Sequence, residues 1–205
     1  VNAKSIYNPL NKIEIIKKSK EKLKFPFFTK NKNCLKIINI GRFTDQKDHL
    51  TLLKSVNLIK FKVNFRMLII GRGVNKEKIN NFIKKNNLKK KIKVINFQSN
   101  PFKFIKKADI FILSSRFEGL PNVLLEAIAL KKFVISTNCP TGPREILSNG
   151  KGGELVKVGD YNNLSKKILL FNSNKKKMQK KINYSYKALY RFDYLSNLKE
   201  YLSVV

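Results

Sequence analysis

Short runs of nearly continuous Ile, Val, Leu and Phe recur along the chain. LKIINI (35–40), FRMLII (65–70), IKVINF (92–97), DIFILS (109–114), FVIST (133–137) and GELVKV (153–158) are these runs. Continuity, rather than strict alternation, predicts strands covered on both faces. Between them, residues 46–60, 76–87, 101–107 and 121–131 carry helical periodicity. Residues 160–172 and 174–204 continue it, with a break expected near Arg191 or Phe192. Strand alternating with helix predicts an α/β fold: a doubly wound, Rossmann-like parallel sheet of about six strands, with helices on both faces and at the C-terminus.

Glycines punctuate this rhythm. Gly41, Gly71, Gly73 and Gly119 follow predicted strands or precede predicted helices, and none of the nine falls inside a predicted helix. In open parallel sheets, ligands bind at the carboxyl ends of strands, where these turns lie. Residues 1–33 differ: SIYNPL reads as a short strand, and the Lys-rich stretch after it as a connector without a clear period. The expected organisation is 1–33 as a strand and Lys-rich connector, 34–190 as the ligand-binding Rossmann-like domain, and 191–205 as a C-terminal helix. The chain opens on Val1 and shows no signal-peptide pattern, so a longer protein with a preceding domain is expected.

Composition changes the picture in one respect. The 205 residues carry 44 Lys and Arg against 13 Asp and Glu, a net charge of +31. Such an excess suits anionic membrane or nucleic acid. Yet 38 of the basic residues are Lys and only 6 are Arg, and phosphate- and base-reading sites favour the bidentate guanidinium. Lys, Asn and Ile, all abundant here, share A/T-rich codons, so codon bias accounts for the charge equally well. No nucleic-acid motif accompanies it, and no specific nucleic-acid partner is expected. Cys34 and Cys139 match no metal-ligand spacing, and His49 is the single histidine, which excludes a His-based zinc site. Reduced thiols fit a cytoplasmic compartment, with peripheral membrane attachment left open.

Two stretches carry candidate chemistry. In NIGRFTDQKDHL (39–50), a strand ends at Ile40 and a helix is expected near Gln46. Arg42 and Lys47 then lie on the turn, as a diphosphate clamp beside free helix N–H groups or as solvated charges. Arg72, Arg116 and Arg144 fall beside the same edge, which favours an anion site. In RFEGLPNVLLEA (116–127), Pro121 fits the first helical position. Glu118 precedes that helix, and Glu126 stands roughly 7 to 8 Å along its axis. Two carboxylates around a helix N-terminus suit a ligand with an anionic middle and hydroxylated ends, such as a nucleotide diphospho-sugar. The alternative is a helix-start charge and an exposed helix residue. IIGRGVNKEK (69–78) has Lys76 where a dinucleotide fingerprint needs its third Gly, and no P-loop is present.

SSRFEGLPNVLLEAIALKKFVISTNCPTGPREIL resembles the C-terminal, donor-binding domain of glycosyltransferase family 4, the group 1 retaining enzymes of GT-B fold. NIGRFTDQKDHL and NFQSNPFKFIKKADIFILSS are similar to the family's corresponding segments, and SIYNPL to its interdomain strand. The resemblance implies that Arg42 and Lys47 bind the donor diphosphate, Glu126 the ribose hydroxyls and Glu118 those of the transferred sugar. Glu118, Arg42 and Lys47 would be the catalytic set. Gly41, Gly119, Leu120, Pro121, Asn122, Phe97 and Gln98 would complete the donor site, with 97–100 beside the base. No metal and no cofactor is implied. Asn96 and Arg72 depart from the family pattern, which has Gly and an acidic residue there. CPTGPREI (139–146) is typical of enzymes that build surface polysaccharides and lipid-linked oligosaccharides; Arg144 and Glu145 either touch the donor or only shape the loop.

The implied function is transfer of a hexose or N-acetylhexosamine from a nucleotide diphospho-sugar, UDP-linked by subgroup likeness, to a polysaccharide, lipopolysaccharide or lipid-linked acceptor. The acceptor site and a catalytic His would come from the preceding domain, so this chain is expected to bind nucleotide without transferring sugar alone. The helix at 194–204 would pack on that domain or within its own core. The rivals are another GT-B enzyme, such as a sugar-nucleotide epimerase, and a non-catalytic basic membrane-binding module.

Overall fold

A computed structural model describes residues 9–29 and 33–203. Six strands form one sheet: β1 (Leu35–Ile40), β2 (Phe65–Ile70), β3 (Ile92–Ile95), β4 (Ile110–Leu113), β5 (Phe133–Thr137) and β6 (Glu154–Val156). All neighbours pair in parallel, in the order β3-β2-β1-β4-β5-β6. The order reverses between β1 and β4, opening a crevice at their carboxyl ends.

The continuous apolar runs reflect two cores, one on each face. Ile37, Met67, Ile69, Ile112 and Ile135 point to one side and pack with α3 (His49–Leu58), α4 (Lys76–Lys85) and α8 (Tyr161–Ser173). Ile38, Leu68, Ile70, Phe111, Leu113 and Val134 point to the other. They meet α5 (Phe102–Ile105), α6 (Asn122–Ala129) and Phe28 of α2 (Pro26–Thr29). Successive strand residues face opposite ways, so burial of both faces demands an unbroken apolar sequence.

The connector contains structure that periodicity missed. α1 (Lys12–Ser19) is capped by Asn11, which accepts from Glu14 N at 3.0 Å, and packs on α5 and α6. Only Ile15 and Ser19 of it are buried, too few to make a stripe among lysines. The strand expected at SIYNPL lies outside the described residues up to Asn8. Leu10, at its end, bridges in parallel to Asp193, and its N–H donates to Phe192 O at 2.9 Å.

Three predicted helices begin or break differently. The 46–60 helix is a 3₁₀ turn (Asp45–Lys47), then Asp48 in the left-handed region at φ 41, ψ 54, then α3. Asp48 ends one turn and caps the next: its carboxylate accepts from Thr51 N at 3.2 Å and Thr51 Oγ1 at 2.9 Å. α6 starts at Asn122, one residue later than expected. Pro121 keeps the φ of −74 that its ring imposes, but its ψ of 95 is extended, so it stands just outside the helix. The 174–204 stretch divides into α9 (Lys175–Lys187), a 3₁₀ segment (Ala188–Phe192) and α10 (Tyr194–Leu202). Asp193 is extended there and accepts from Ser196 N at 3.0 Å, an N-cap that explains the break. A one-turn helix, α7 (Pro143–Ile146), was not expected from CPTGPREI.

Candidate functional site

The crevice is built by two loops stitched together. Residues 41–48 follow β1, and 114–121 follow β4. Arg116 N donates to Gln46 O at 2.8 Å, Gln46 Nε2 donates to Phe117 O at 3.0 Å, and Ser114 Oγ donates to Lys47 O at 2.9 Å. The loop after β2 presses against the first: a Cβ at Gly71 would lie 2.0 Å from Gly41 O, so glycine alone fits. Helix α3 cannot offer its N-terminus to an anion as the sequence suggested, because Asp48 already occupies it, with Arg116 Nε 3.4 Å from Asp48 Oδ2. Helix α6 has no side-chain cap; Leu124 N donates to Pro121 O at 2.9 Å, and the N–H groups of Asn122 and Val123 have no partner among the described residues.

Between the turns after β1, β2 and β3 and helix α6 lies a cleft of 440 Å³. Gly41, Arg42, Phe97, Gln98 and Glu126 line it, together with Arg72 and Val123. Arg42 is exposed, and among the described residues it holds no ion pair. Phe97 is 61% exposed, and the Arg72 guanidinium lies 5.5 Å from its ring centroid. Among the described residues, Glu126 is the only carboxylate lining the cleft, and none of their donors reaches its side chain. Burial without a compensating partner pushes its pKa up to about 7.

Glu118 occupies the opposite kind of environment. Its Oε1 accepts from Lys47 Nζ at 2.5 Å and from Ser115 Oγ at 2.5 Å; the two ion-pair side chains are only 7% and 14% exposed. Its Oε2 has no partner among the described residues. The Lys47 stem runs past Gly41, where a Cβ would stand 3.4 Å from its Cγ. This pair therefore adjoins the cleft without lining it. Thr141 Oγ1 donates to Glu118 O, and Gly142, at φ 74, leaves no room for a Cβ against Gly119 O. The loop after β5 thus braces the acidic stretch.

The larger opening, 770 Å³, is lined by this brace, including Asn138, Arg144, Glu145 and Arg191. Its guanidinium groups are already used. Arg144 Nε donates to Asn138 Oδ1 at 3.2 Å, and Arg191 donates to the carbonyls of Glu145 and Ile146.

Of the sequence-predicted residues, the fold gathers Gly41, Arg42, Phe97, Gln98 and Glu126 around one cavity. Lys47, Glu118, Gly119, Leu120, Pro121 and Asn122 do not line it: they lie on the adjoining loops after β1 and β4 and at the start of α6. The residues missed were Ser115 and Thr141, which hold Glu118. A hydroxyl three positions before a carboxylate in SSRFE was the available signal for Ser115. Nothing in the sequence linked Thr141 to Glu118, because the contact joins two strand-end loops. His49 is buried against Phe43 in α3, with its pKa lowered to about 4 by desolvation, and it does not line the cleft.

Known proteins give this geometry a context. The chain is 44% identical over 117 residues to an uncharacterized glycosyltransferase of Methanocaldococcus jannaschii, a match covering 57% of this chain and 29% of that protein. It is 33% identical over 128 residues to the N-acetylgalactosamine-N,N'-diacetylbacillosaminyl-diphospho-undecaprenol 4-alpha-N-acetylgalactosaminyltransferase of Campylobacter jejuni, covering 62% and 34%. The chain thus spans about a third of the length of these curated relatives. Among solved structures, Anabaena Alr3699/HepE in complex with UDP and glucose superposes with a TM-score of 0.84 at 18% identity, covering 98% of this chain and 57% of that one. That likeness shows the fold, that of GT-B glycosyltransferases. Residues 20–188 match the family described as Glycosyl transferases group 1, and the chain belongs to that family.

Proposed function

We propose that the chain is the donor-binding, C-terminal half of a retaining family 4 glycosyltransferase. It takes a UDP-linked hexose or N-acetylhexosamine and, with a preceding domain, passes the sugar to a polysaccharide, lipopolysaccharide or lipid-linked acceptor. The observation that carries the reading is the cleft beside the strand-order reversal, where one partly buried carboxylate, without a partner among the described residues, shares the lining with two arginines and an exposed aromatic ring. Glu126 accepts hydrogen bonds from the ribose hydroxyls; these donors favour its ionised form and relieve the cost of its burial. The base lies along Phe97 and Gln98. The diphosphate meets Arg42, the spare N–H donors of Lys47 and the open N-terminus of α6 through Gly119 to Asn122. The free oxygen of Glu118 accepts from hydroxyls of the sugar.

Transfer breaks the bond between the anomeric carbon and the β-phosphate oxygen, and the acceptor hydroxyl forms the new bond as its proton passes to the departing diphosphate. Charge grows on the departing diphosphate, and Arg42, Lys47 and the helix N-terminus stabilise it. The reading assigns no metal to the reaction. Names of related proteins support the acceptor class: the Campylobacter relative acts on a diphospho-undecaprenol substrate, and a relative in Staphylococcus aureus is named for capsular polysaccharide biosynthesis.

Calorimetric titration with UDP, GDP and ADP in EDTA tests the reading. Saturable preference for UDP, weakened at least tenfold by Glu126→Ala, is expected. Equal, salt-sensitive binding of all three nucleotides, indifferent to that substitution, would contradict it. Turnover of a lipid acceptor by this chain alone would overturn the assignment as half of a site.

A further inference from the structure

Because every strand is parallel, the loops preceding the strands share one end of the sheet, opposite the cleft. That end is crowded with lysine. Lys60 and Lys62 precede β2; Lys89, Lys90 and Lys91 precede β3; Lys106 and Lys107 precede β4; and Lys131 and Lys132 precede β5. The carboxylates go elsewhere: Asp45, Asp48, Glu77, Glu118, Glu145 and Asp160 all lie after strands or in the first turns of the helices that follow. Asp109 is the one carboxylate at these β2-to-β5 loops, and it accepts from Lys36 N at 2.8 Å.

The lysines therefore crowd one another without enough counter-charge. Lys132 has its pKa lowered to about 8, by desolvation first; Asp109 offsets part of this, and Lys106, Lys107 and Lys36 add repulsion. An apolar tip stands among them. Phe61, in the turn between α3 and β2, is 93% exposed, and Leu58 beside it is also exposed. Lys60 Nζ lies 5.2 Å from the Phe61 ring centroid and donates to Asn86 O at 3.2 Å, tying this turn to the one before β3. There a depression of 410 Å³ is lined by Lys84, Asn87, Lys89 and Lys90.

We propose that this lysine-lined end of the sheet, with Phe61 at its tip, is a docking surface for an anionic lipid bilayer. Lysine ammonium groups meet the lipid phosphates, and the Phe61 ring enters the headgroup boundary. Nucleic acid fits less well: these loops present Lys rather than Arg, and their aromatic ring is a single protruding tip, not a platform for stacked bases. The surface is separate from the nucleotide cleft, so neither proposal depends on the other.

Co-sedimentation of the 205-residue chain with phosphatidylcholine vesicles, with and without 30% phosphatidylglycerol, tests it. Lys62→Glu with Lys107→Glu is compared with a control of equal charge change, Lys157→Glu with Lys166→Glu, on the segment after β6. The expected result is binding to the anionic vesicles only, reduced at least tenfold by the first pair and less than twofold by the control. Phe61→Ser is expected to reduce binding about threefold with the charge unchanged. Equal losses in the two charge pairs would overturn the surface, leaving only diffuse net charge. An unchanged Phe61→Ser affinity, or tighter binding to a short DNA duplex with the same variant pattern, would overturn the bilayer as partner. Thermal melts and nucleotide titration of each variant verify that fold and cleft are intact.

Discussion

Two glutamates eight positions apart live in opposite surroundings. Glu118 is nearly inaccessible, yet one oxygen holds both a lysine ammonium and a serine hydroxyl. Glu126 is partly buried and has no donor among the described residues, and its pKa rises to about 7. A buried carboxylate with partners contributes to the fold; one without partners costs stability and persists where a ligand supplies what the protein withholds. The difference separates a carboxylate already built into the loops from one waiting for hydroxyls.

The largest effect should come from breaking the satisfied member. Lys47→Ala leaves Glu118 without its cation in a closed site and should lower unfolding stability by about 3 kcal/mol. Adding Glu118→Gln should recover part of that loss. Urea denaturation of the two variants checks both values, and no recovery would mean that Lys47 acts through the loop rather than through Glu118.

The unsatisfied member should respond in the reverse direction. Folding raises the Glu126 pKa from 4.5 to about 7. The protonated form therefore favours the fold below pH 4.5, and that contribution is lost as pH rises through about 7. Glu126→Gln should thus match the parent near pH 4.5 and exceed it by about 2–3 kcal/mol above pH 8, while losing nucleotide affinity. Denaturation at the two pH values reads this directly. Greater stability with lost binding marks a residue kept for function.

Smaller effects sharpen the boundary between the two regions. Asp48→Ala removes the cap of α3 and should cost about 1 kcal/mol. It also frees Arg116, so a weak gain in phosphate affinity should accompany the loss. Phe97→Ala should weaken uridine nucleotides by about 1 kcal/mol, with inorganic phosphate binding unchanged, as stacking on an exposed ring requires.

Much of this was legible in the sequence, for identifiable reasons. Unbroken apolar runs such as LKIINI and DIFILS could only be strands covered on both faces, and the sheet followed. The carboxylates and Arg42 stood out because acid and arginine are scarce in this chain. What stayed hidden depends on contacts between distant segments. The Lys47–Glu118 pair, 71 residues apart, joins two loops that meet only after β1 and β4 align. Left-handed Asp48 divides a continuous helical pattern through one side chain, and α1 carries too little buried surface to show a stripe. The crowding of lysine at one end of the sheet is likewise invisible until parallel topology gathers the loops.

The central claim is that Glu126 binds donor hydroxyls as a carboxylate. The most direct test is the affinity for UDP-glucose at pH 6 and pH 8, a ligand whose phosphates have no proton to lose in that range. With a pKa of about 7, affinity should rise about tenfold between them, and Glu126→Gln should be weak and flat. Equal affinity at both pH values, shared by the variant, would show that the unpartnered carboxylate plays no part in holding the donor.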